Sequence, residues 1–336
     1  MKILFIIFFI ILYIFCIKKN KEEFKNLFKI DAVITWVDGT NKKWMRKKNF
    51  YLKSKTSETT YASGKRDIRF GKNNELYYCV KSINKYLPWI NKIYIVTMYP
   101  QKPDFLNEFN NIEIIYHHQI YNNKKHLPTF NSMSIETQLY NIPNLSEHFI
   151  YFNDDFFIGR QLEPTFFFTK KGMPILYKRN KINKYCKKNI NFLKDKNIKT
   201  KNFSLIHQAV PLTKSNYKYV WNKFYDKLNK TSSSKFRNKN DIWIIGLIQQ
   251  LCSSKLKNKC FYKKIKKDDN HYICFKNSDN YNNLINIDKY YNFISKYQNS
   301  KKKPALICLN NVNISNKLHK DFYDKFIKNF DYNLNL

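Results

Sequence analysis

The chain has 336 residues, of which 43% are hydrophobic and 17% aromatic, so it can bury a sizeable core and is not a disordered polymer. Its formal net charge of +36 would ordinarily suggest binding to nucleic acid or an anionic membrane. Only six of the 61 basic residues are arginine, however, and the abundance of lysine, asparagine and isoleucine is typical of an A/T-rich coding sequence. The basic runs are scattered and lack a nucleic-acid-binding motif. We therefore predict no nucleic-acid partner.

An unbroken apolar run of fifteen residues, 3–17, follows Lys2 at the start of the chain. At ~1.5 Å per residue such a helix reaches about 22 Å, short of a ~30 Å bilayer core. The run fits a signal-peptide core or a short signal anchor, and the lack of a small-residue cleavage site favours an anchor. We predict that residues 1–18 are a signal anchor or transmembrane segment that attaches the protein to a membrane. The lysines after the run outnumber Lys2, and the positive-inside rule would then leave the body in the cytoplasm.

Strands and helices are predicted to alternate from residue 30 to residue 152. Buried strands are expected at 30–37, 92–98, 112–116 and 149–152, with helices at 74–86 and 134–140. Residues 41–68 are polar and basic and are predicted to form a loop and a helix. Polar groups follow the ends of the strands. The alternation of strands and helices predicts an α/β fold with a parallel sheet.

The second half of the chain is less regular. Residues 180–202, which we expect to form an exposed insertion, and 255–300 are rich in lysine and asparagine. Between them, 204–251 is predicted to be mainly helical, and a last strand is predicted at Ala305–Leu309. Cys252, Cys260, His271 and Cys274 make a faint zinc pattern, and disulfides in the same region are the alternative if the body faces an oxidising compartment.

Two adjacent carboxylates, Asp154 and Asp155, interrupt an aromatic run at the point where a buried strand should end. Ligands of open α/β sheets bind outside the carboxyl ends of the strands. Carboxylate oxygens are the ligands that Mg²⁺ and Mn²⁺ prefer, so the pair is a candidate metal site that could carry a diphosphate. The alternative is an Asx turn in which both acids face water.

Other polar groups are concentrated in a few short blocks. They are Trp36-Val37-Asp38-Gly39-Thr40; Arg69-Phe70 with Asn73 and Glu75; Pro88-Trp89; His126 to Ser132 with Ile135-Glu136; Asn153-Asp154-Asp155; His207; Lys230-Thr231-Ser232; Lys235-Phe236-Arg237; and Asp241. In this order they resemble the Stealth family of hexose-1-phosphate transferases, which includes bacterial capsular polysaccharide phosphotransferases and the catalytic subunit of the lysosomal-enzyme GlcNAc-1-phosphotransferase. The resemblance implies one catalytic domain over residues 30–336, with motif blocks at 30–52, 69–168, 204–251 and 304–332.

The resemblance implies a nucleotide-diphosphosugar (GT-A/Rossmann-like) fold with a mostly parallel sheet and a helical C-terminal part. It also implies transfer of a sugar 1-phosphate from UDP-GlcNAc or a similar nucleotide-sugar donor to a hydroxyl of a glycan or polysaccharide acceptor, with release of UMP. If that acceptor is made in the secretory pathway, the body would lie in the Golgi or ER lumen of a eukaryote, and otherwise it would be membrane-associated. Two alternatives stay open: a metal-dependent glycosyltransferase of the same fold, and a catalytically degenerate carbohydrate- or polyanion-binding protein.

Roles for individual residues follow from the resemblance together with the chemistry of phosphoryl transfer. Asp154 and Asp155 would hold Mg²⁺ or Mn²⁺. His207 is the expected general base, with His126 as runner-up. The remaining candidate catalytic and phosphate-binding residues are Asp38, Glu75, Arg69, Arg237 and Asp241. The candidate substrate contacts are Trp36, Gly39, Thr40, Asn73, Thr129 and Asn153.

Each role has a plainer alternative. Asp38-Gly39 is also a turn sequence, Glu75 suits a helix N-terminus, and His126 would serve equally as a loop brace. Asp241 and Glu136 suit a structural role as well as a place in the site.

Three positions depart from the family pattern. Lys72 stands where an acid is usual, Tyr77 where an arginine is usual, and Asn311 where an aspartate is usual. These three changes are the reason for considering a catalytically degenerate binding protein. Retention of the Asp154-Asp155 pair, His207 and Arg237 argues against it.

Overall fold

The computed structural model describes residues 28–54, 74–179, 182–200, 204–252, 260–264, 271–276, 303–310, 324 and 326–328. The N-terminal apolar run, Arg69, Lys72, Asn73 and Asn311 lie outside these ranges. Within them, none of the helices combines the length and the apolar character needed to cross a membrane.

Strands and short helices alternate through the first part of the chain. The strands are β1 (Ile30–Thr35), β2 (Ile93–Thr97), β3 (Ile112–Tyr116), β4 (His148–Asn153), β5 (Phe156–Ile158), β6 (Ile175–Arg179), β7 (Ser204–Leu205), β8 (Val210–Thr213), β9 (Phe261–Lys264), β10 (Tyr272–Lys276) and β11 (Leu306–Asn310). The helices are α1 (Lys42–Ser54), α2 (Glu75–Tyr86), α3 (His117–Ile120), α4 (Ser132–Glu136), α5 (Lys184–Asp195), α6 (Lys214–Lys223), α7 (Tyr225–Ser233) and α8 (Ile244–Leu251).

The central sheet has the strand order β3-β2-β1-β4-β8 in the described part of the chain. Its first four strands are parallel, and β8 runs antiparallel to β4. The order 3-2-1-4 is that of nucleotide-binding doubly wound sheets. The predicted α/β fold with a mostly parallel sheet is thus confirmed. Because Thr35 is in register with Asn153, the ends of β1 and β4 lie side by side at one edge of the sheet.

Both faces of the central sheet are covered by apolar side chains. On β1, Val33 belongs to one core cluster, whereas Ala32 and Ile34 belong to the cluster on the opposite face. This two-sided burial explains why the strand reads as a continuous apolar run rather than an alternating one. On α2, Leu76, Cys79, Val80 and Ile83 recur at helical spacing and are all buried.

The second half of the chain differs from the sequence predictions in two places. The block 204–251 begins with β7 and β8 before its helices, and Pro211 is tolerated in β8 because that strand forms an edge of the central sheet. The segment 180–202, predicted to be an exposed insertion, contains α5, whose residues Cys186, Ile190 and Leu193 are buried. Lysines on the outer face of this helix concealed its apolar spacing.

The cysteines of the C-terminal third do not form the zinc site that the pattern suggested. Cys252, next to the end of α8, forms a disulfide with Cys260, next to the start of β9. A disulfide sulfur is not a thiolate ligand. The ring of His271 instead packs against Tyr177 and Phe166, with centroid distances of 3.7 and 4.9 Å.

Candidate active site

The acid pair lies in the tight turn between β4 and β5, at the carboxyl edge of the central sheet. Both carboxylates are half-buried rather than turned fully to water. Burial, followed by the negative charge of Asp155, raises the pKa of Asp154. The backbone oxygen of Asp155 accepts a 3.0 Å hydrogen bond from the amide of Leu309, which ties the turn to β11. Two acids are therefore held where a positive charge would stabilise them.

The imidazole of His207 reaches the same edge from the loop between β7 and β8. It is exposed, and its Nε2 atom lies 3.4 Å from Nδ2 of Asn153, the residue directly before the acid pair. Its Nδ1 atom lies 3.6 Å from Sγ of Cys308, and that sulfur is 3.8 Å from Oδ2 of Asp155. The structure thus brings His207, Asn153 and the acid pair together.

A polar network lies beneath this edge, between β1, β4 and α4. The hydroxyl of Tyr151 donates to Oδ1 of Asn153 at 2.9 Å and lies 3.0 Å from Oγ1 of Thr35. It is also 3.3 Å from Oε1 of Glu136. Burial raises the pKa of Glu136 to about 7, although the charge of Arg237 acts in the opposite direction. Glu136, which the sequence left undecided, is therefore a buried titratable group that links the acid-pair edge to Arg237.

Arg237 is half-buried in the loop between α7 and α8. Its Nη2 atom donates to Oγ of Ser132 at 2.7 Å, at the first residue of α4. The loop is fixed by the buried carboxylate of Asp241, which accepts hydrogen bonds from Asn131 Nδ2 at 2.8 Å, Ser234 Oγ at 2.6 Å and the Asn238 amide at 2.7 Å. Burial raises the pKa of Asp241 despite these bonds. Asp241 therefore holds the loop that carries Arg237.

His126 and Thr129 lie inside the protein and brace the same loop. Nδ1 of His126 is 2.9 Å from Oγ of Ser232, and its pKa is lowered by burial and then by the charge of Lys235. Oγ1 of Thr129 donates to the Ser234 carbonyl at 3.1 Å. Both side chains are at least nine-tenths buried. The contacts of His126 are those expected of a loop brace, the alternative role predicted for it from the sequence.

The residues Asp38, Gly39 and Thr40, which follow β1, form a turn at the carboxyl edge of the sheet. Oδ1 of Asp38 accepts hydrogen bonds from the amide and hydroxyl of Thr40, at 2.9 and 2.6 Å, while Gly39 lies between them. The side chain of Gln101 brackets the Asp38 backbone, with Nε2 2.7 Å from its carbonyl oxygen and Oε1 3.2 Å from its nitrogen. Trp36 packs at the margin of a core cluster. The loop is therefore ordered at the carboxyl edge, and the Asp38 carboxylate helps to hold it.

Glu75 lies in the first turn of α2, one turn before Cys79. Sγ of Cys79 is 3.9 Å from the carbonyl oxygen of Asn153, and its pKa is raised by burial and by the charges of Asp154 and Asp155. The N-terminal half of α2 therefore approaches the acid pair. Tyr77, at a position where the family usually has arginine, donates to Glu108 at 2.9 Å.

Four side chains of this region were not predicted as site residues: Thr35, Tyr151, Tyr272 and Cys308. Tyr272 reaches His207 by donating its hydroxyl proton to the backbone oxygen at 2.6 Å. Thr35 and Tyr151 are polar side chains near the ends of otherwise apolar predicted strands, which was a usable signal. Cys308 gave no such signal in the sequence, because cysteine is an ordinary core residue.

The acid pair suits a divalent cation that also binds the substrate. In the described ranges no group of three or more His, Cys, Asp or Glu side chains is arranged to hold a metal ion. Mg²⁺ is commonly held by one or two carboxylates, with water and substrate phosphates completing its shell. Asp154 and Asp155 are half-buried, and the pKa of Asp154 is raised by burial and then by the charge of Asp155, so the pair fits that arrangement.

Comparisons with known proteins identify the family of the chain. Residues 28–56 match Stealth protein CR1, conserved region 1, and residues 69–176 match Stealth protein CR2, conserved region 2. The chain is 34% identical over 317 residues to the capsular polysaccharide phosphotransferase fcs1 of Haemophilus influenzae, covering 87% of this chain and 81% of that relative. It is also 34% identical over 281 residues to the capsular polysaccharide phosphotransferase LcbA of Neisseria meningitidis, covering 75% of each.

The protein is an enzyme of the class that transfers phosphate-containing groups. The chain belongs to the Stealth family, as the sequence blocks predicted. Among solved structures it is similar to the galactosyltransferase LgtC in complex with donor and acceptor sugar analogues, with a TM-score of 0.42, 10% identity, and coverage of 88% of this chain and 94% of LgtC.

Proposed function

We propose that this protein transfers a sugar 1-phosphate from a nucleotide-diphosphate sugar, such as UDP-GlcNAc, to a hydroxyl of a glycan or polysaccharide acceptor and releases UMP. One observation carries the proposal: the exposed imidazole of His207 is held 3.4 Å from Asn153, directly beside Asp154 and Asp155 at the carboxyl edge of the sheet. A base and an anionic cation-binding pair are both needed for phosphoryl-type transfer, and here they are neighbours. The names of the relatives, which are capsular polysaccharide phosphotransferases, support the same chemistry.

The proposed reaction breaks one bond to phosphorus and forms another, and His207 accepts the proton that is released. The acceptor hydroxyl loses its proton to His207 as its oxygen bonds to the phosphorus that carries the sugar. The bond between that phosphorus and the oxygen bridging the two phosphates breaks, and its electrons leave with UMP. The sugar keeps its bond to the transferred phosphate, so the anomeric carbon does not react.

Two groups would neutralise the negative charge on the phosphates. The guanidinium of Arg237, oriented by Ser132, would bind phosphate oxygens with paired N–H groups. Asp154 and Asp155 would hold Mg²⁺ or Mn²⁺, which supplies further neutralisation when bound. The ordered Asp38–Thr40 turn would lie along the nucleotide-sugar, because it closes the neighbouring strand end.

The cellular location belongs to the same proposal. The apolar run at residues 3–17 supports a membrane anchor, which the proposal assigns to residues 1–18. The Cys252–Cys260 disulfide supports a body on the oxidising side, which in a eukaryote is the Golgi or ER lumen. Digestion of intact vesicles by an added protease, with and without detergent, would decide the side.

The function is tested by identifying the nucleotide that the enzyme releases. The purified full chain is incubated with UDP-GlcNAc, UDP-glucose or other nucleotide sugars, simple glycan acceptors, and Mg²⁺ or Mn²⁺, and the products are separated by chromatography. UMP released by the wild type but not by Asp155→Asn would support the proposal, with Asp195→Asn on the exposed end of α5 as the matched control. UDP would identify a glycosyltransferase instead. Neither product, together with no donor binding, would favour the degenerate binding protein.

A further inference from the structure

We infer that Lys188 is a positioning residue for Arg237: its ammonium group, which reaches across from α5, holds the far side of the loop that presents the guanidinium to phosphate. This inference deepens the proposed function and rests on it for its catalytic meaning. The order of the loop itself can be measured without any substrate.

The ammonium group of Lys188 is hydrogen-bonded to the end of the Arg237 loop, residues 234–241. Its Nζ atom donates to the backbone oxygen of Lys239 and, at 2.5 Å, to the backbone oxygen of Asp241. A charged donor strengthens both bonds. One side chain of α5 therefore fixes two points of the loop backbone, two and four residues after Arg237.

The two halves of the Arg237 loop are held by different parts of the chain. In the first half, the backbone oxygens of Ser234 and Phe236 accept hydrogen bonds from Nδ2 of Asn131, at 3.3 and 3.4 Å. The second half receives the two bonds from Lys188. Arg237 thus lies between a segment tied to the residue before α4 and a segment tied to α5.

The charge of Lys188 also offsets the charge that the loop buries. Burial raises the pKa of Asp241, and the positive charge of Lys188 is among the interactions that lower it. Burial lowers the pKa of Lys188, the negative charge of Asp241 raises it, and the charge of Lys227 lowers it further. Each group therefore stabilises the ionised form of the other. An ionised Asp241 is the acceptor for the amide of Asn238, the residue next to Arg237.

The helix that carries Lys188 is fixed by its packing against α8. Nδ2 of Asn189, the next residue on α5, donates to the backbone oxygen of Trp243 at 2.8 Å. A Cβ atom at Gly246 would come within 2.6 Å of the same Nδ2 atom, so α8 approaches α5 closely at this glycine. The stem of Lys188 therefore starts from a backbone that is held in place.

Lys188 differs from the other lysines of its helix. Lys184, Lys187 and Lys194 are exposed, as expected on the outer face of a lysine-rich helix. Lys188 is half-buried, with its charge against backbone oxygens. The helix also lies outside residues 28–56 and 69–176, which match the two conserved regions of the family. The role of Lys188 is therefore argued from the contacts of this chain alone.

The first test measures the order of the Arg237 loop. Amide hydrogen exchange of the full chain is followed by mass spectrometry, without substrate, in peptides that span residues 236–242. We expect Lys188→Met to speed exchange there by about tenfold, which corresponds to the loss of one hydrogen bond from a charged donor, and to leave β1 and β2 unchanged. Lys187→Met, at the exposed neighbour, is the matched control and should behave like the wild type. Unchanged exchange in Lys188→Met would overturn the inference.

The second test asks whether Lys188 acts through Arg237. Binding of inorganic pyrophosphate in the presence of Mg²⁺ is measured by calorimetry on the wild type, Lys188→Met, Arg237→Ala and the double variant. We expect Arg237→Ala to weaken binding by about 10- to 100-fold and Lys188→Met to weaken it less. The double variant should bind no more weakly than Arg237→Ala, because the two residues serve one contact. Effects that multiply in the double variant would overturn the inference.

Turnover assays separate positioning from a general loss of stability. Lys188→Met should raise the KM of the donor by about 3- to 10-fold and leave the KM of the acceptor unchanged, because a loosened guanidinium weakens binding of the donor phosphates. A fall in kcat alone, as expected from a smaller folded fraction, would overturn the inference. A loop that loosens as expected in Lys188→Met, in a protein that neither binds pyrophosphate nor releases UMP, would count against the proposed function alone.

Discussion

The hydroxyl of Tyr151 lies 3.3 Å from Oε1 of Glu136, and this buried contact joins the strand that carries the acid pair to the helix that orients Arg237. A second tyrosine, Tyr217, donates to the backbone oxygen of Glu136 at 2.7 Å. Glu136 is buried, with an exposure of 6% for the whole residue. Its protonation state is therefore coupled to the stability of the fold.

Glu136→Gln should remove part of the pH dependence of stability. Burial raises the pKa of Glu136 from 4.5 to about 7, so the folded state holds this proton more tightly than the unfolded chain does. The corresponding stability is fully present below about pH 4.5 and is lost as the pH rises through about 7. Glutamine mimics the protonated acid at every pH. As the pH rises through this window, we expect the free energy of unfolding of the wild type to fall by about 3 kcal/mol relative to that of the variant. Urea titrations of both proteins would measure this difference. Parallel pH profiles of the two proteins would contradict the assignment.

The two candidate bases should respond differently to the same substitution. His207 is exposed at the site, so His207→Ala should lower kcat by about 10²–10⁴ while leaving the unfolding free energy nearly unchanged. His126 is buried against Ser232, so His126→Ala should cost about 1–3 kcal/mol of stability because it leaves buried polar groups unpaired. Turnover assays and denaturant titrations on both variants separate these effects. The reverse pattern would transfer the base assignment to His126.

Asp241→Ala should destabilise the loop that carries Arg237. The substitution removes the acceptor for three hydrogen bonds in a buried place, so we expect a loss of about 2–4 kcal/mol in unfolding free energy. Asp195→Ala, on the exposed end of α5, is the matched control and should change stability by no more than about 0.5 kcal/mol. Equal, small effects in both variants would show that the network is not structural.

Removal of divalent cations should stop turnover reversibly. A chelator is expected to abolish nucleotide release, and added Mg²⁺ or Mn²⁺ to restore it, because the acid pair requires a cation to bind the diphosphate. In Asp155→Asn added metal should not restore the rate, whereas Asp226→Asn, an exposed acid on α7, should behave like the wild type. Full activity in the presence of the chelator would remove the metal from the proposal.

Much of the fold was predictable because side-chain periodicity is a local property. The apolar runs at 92–98 and 112–116 correspond to β2 and β3, and the spacing of Leu76, Val80 and Ile83 corresponds to α2. Prediction failed where tertiary contacts decided the structure. Val210-Pro211 forms an edge strand only because β4 offers a partner, and α5 is buried by its packing against α8.

For the site, the sequence by itself determined which chemical groups are present and that Asp154 and Asp155 follow a buried strand. It could not determine which of them meet. Asn131 and Asp241 are 110 residues apart, and Cys308 is 101 residues from His207, yet their side chains are in contact. Only the tertiary structure separated the buried braces, His126, Thr129 and Asp241, from the exposed His207, because burial and hydrogen-bond partners arise from segments brought together by folding.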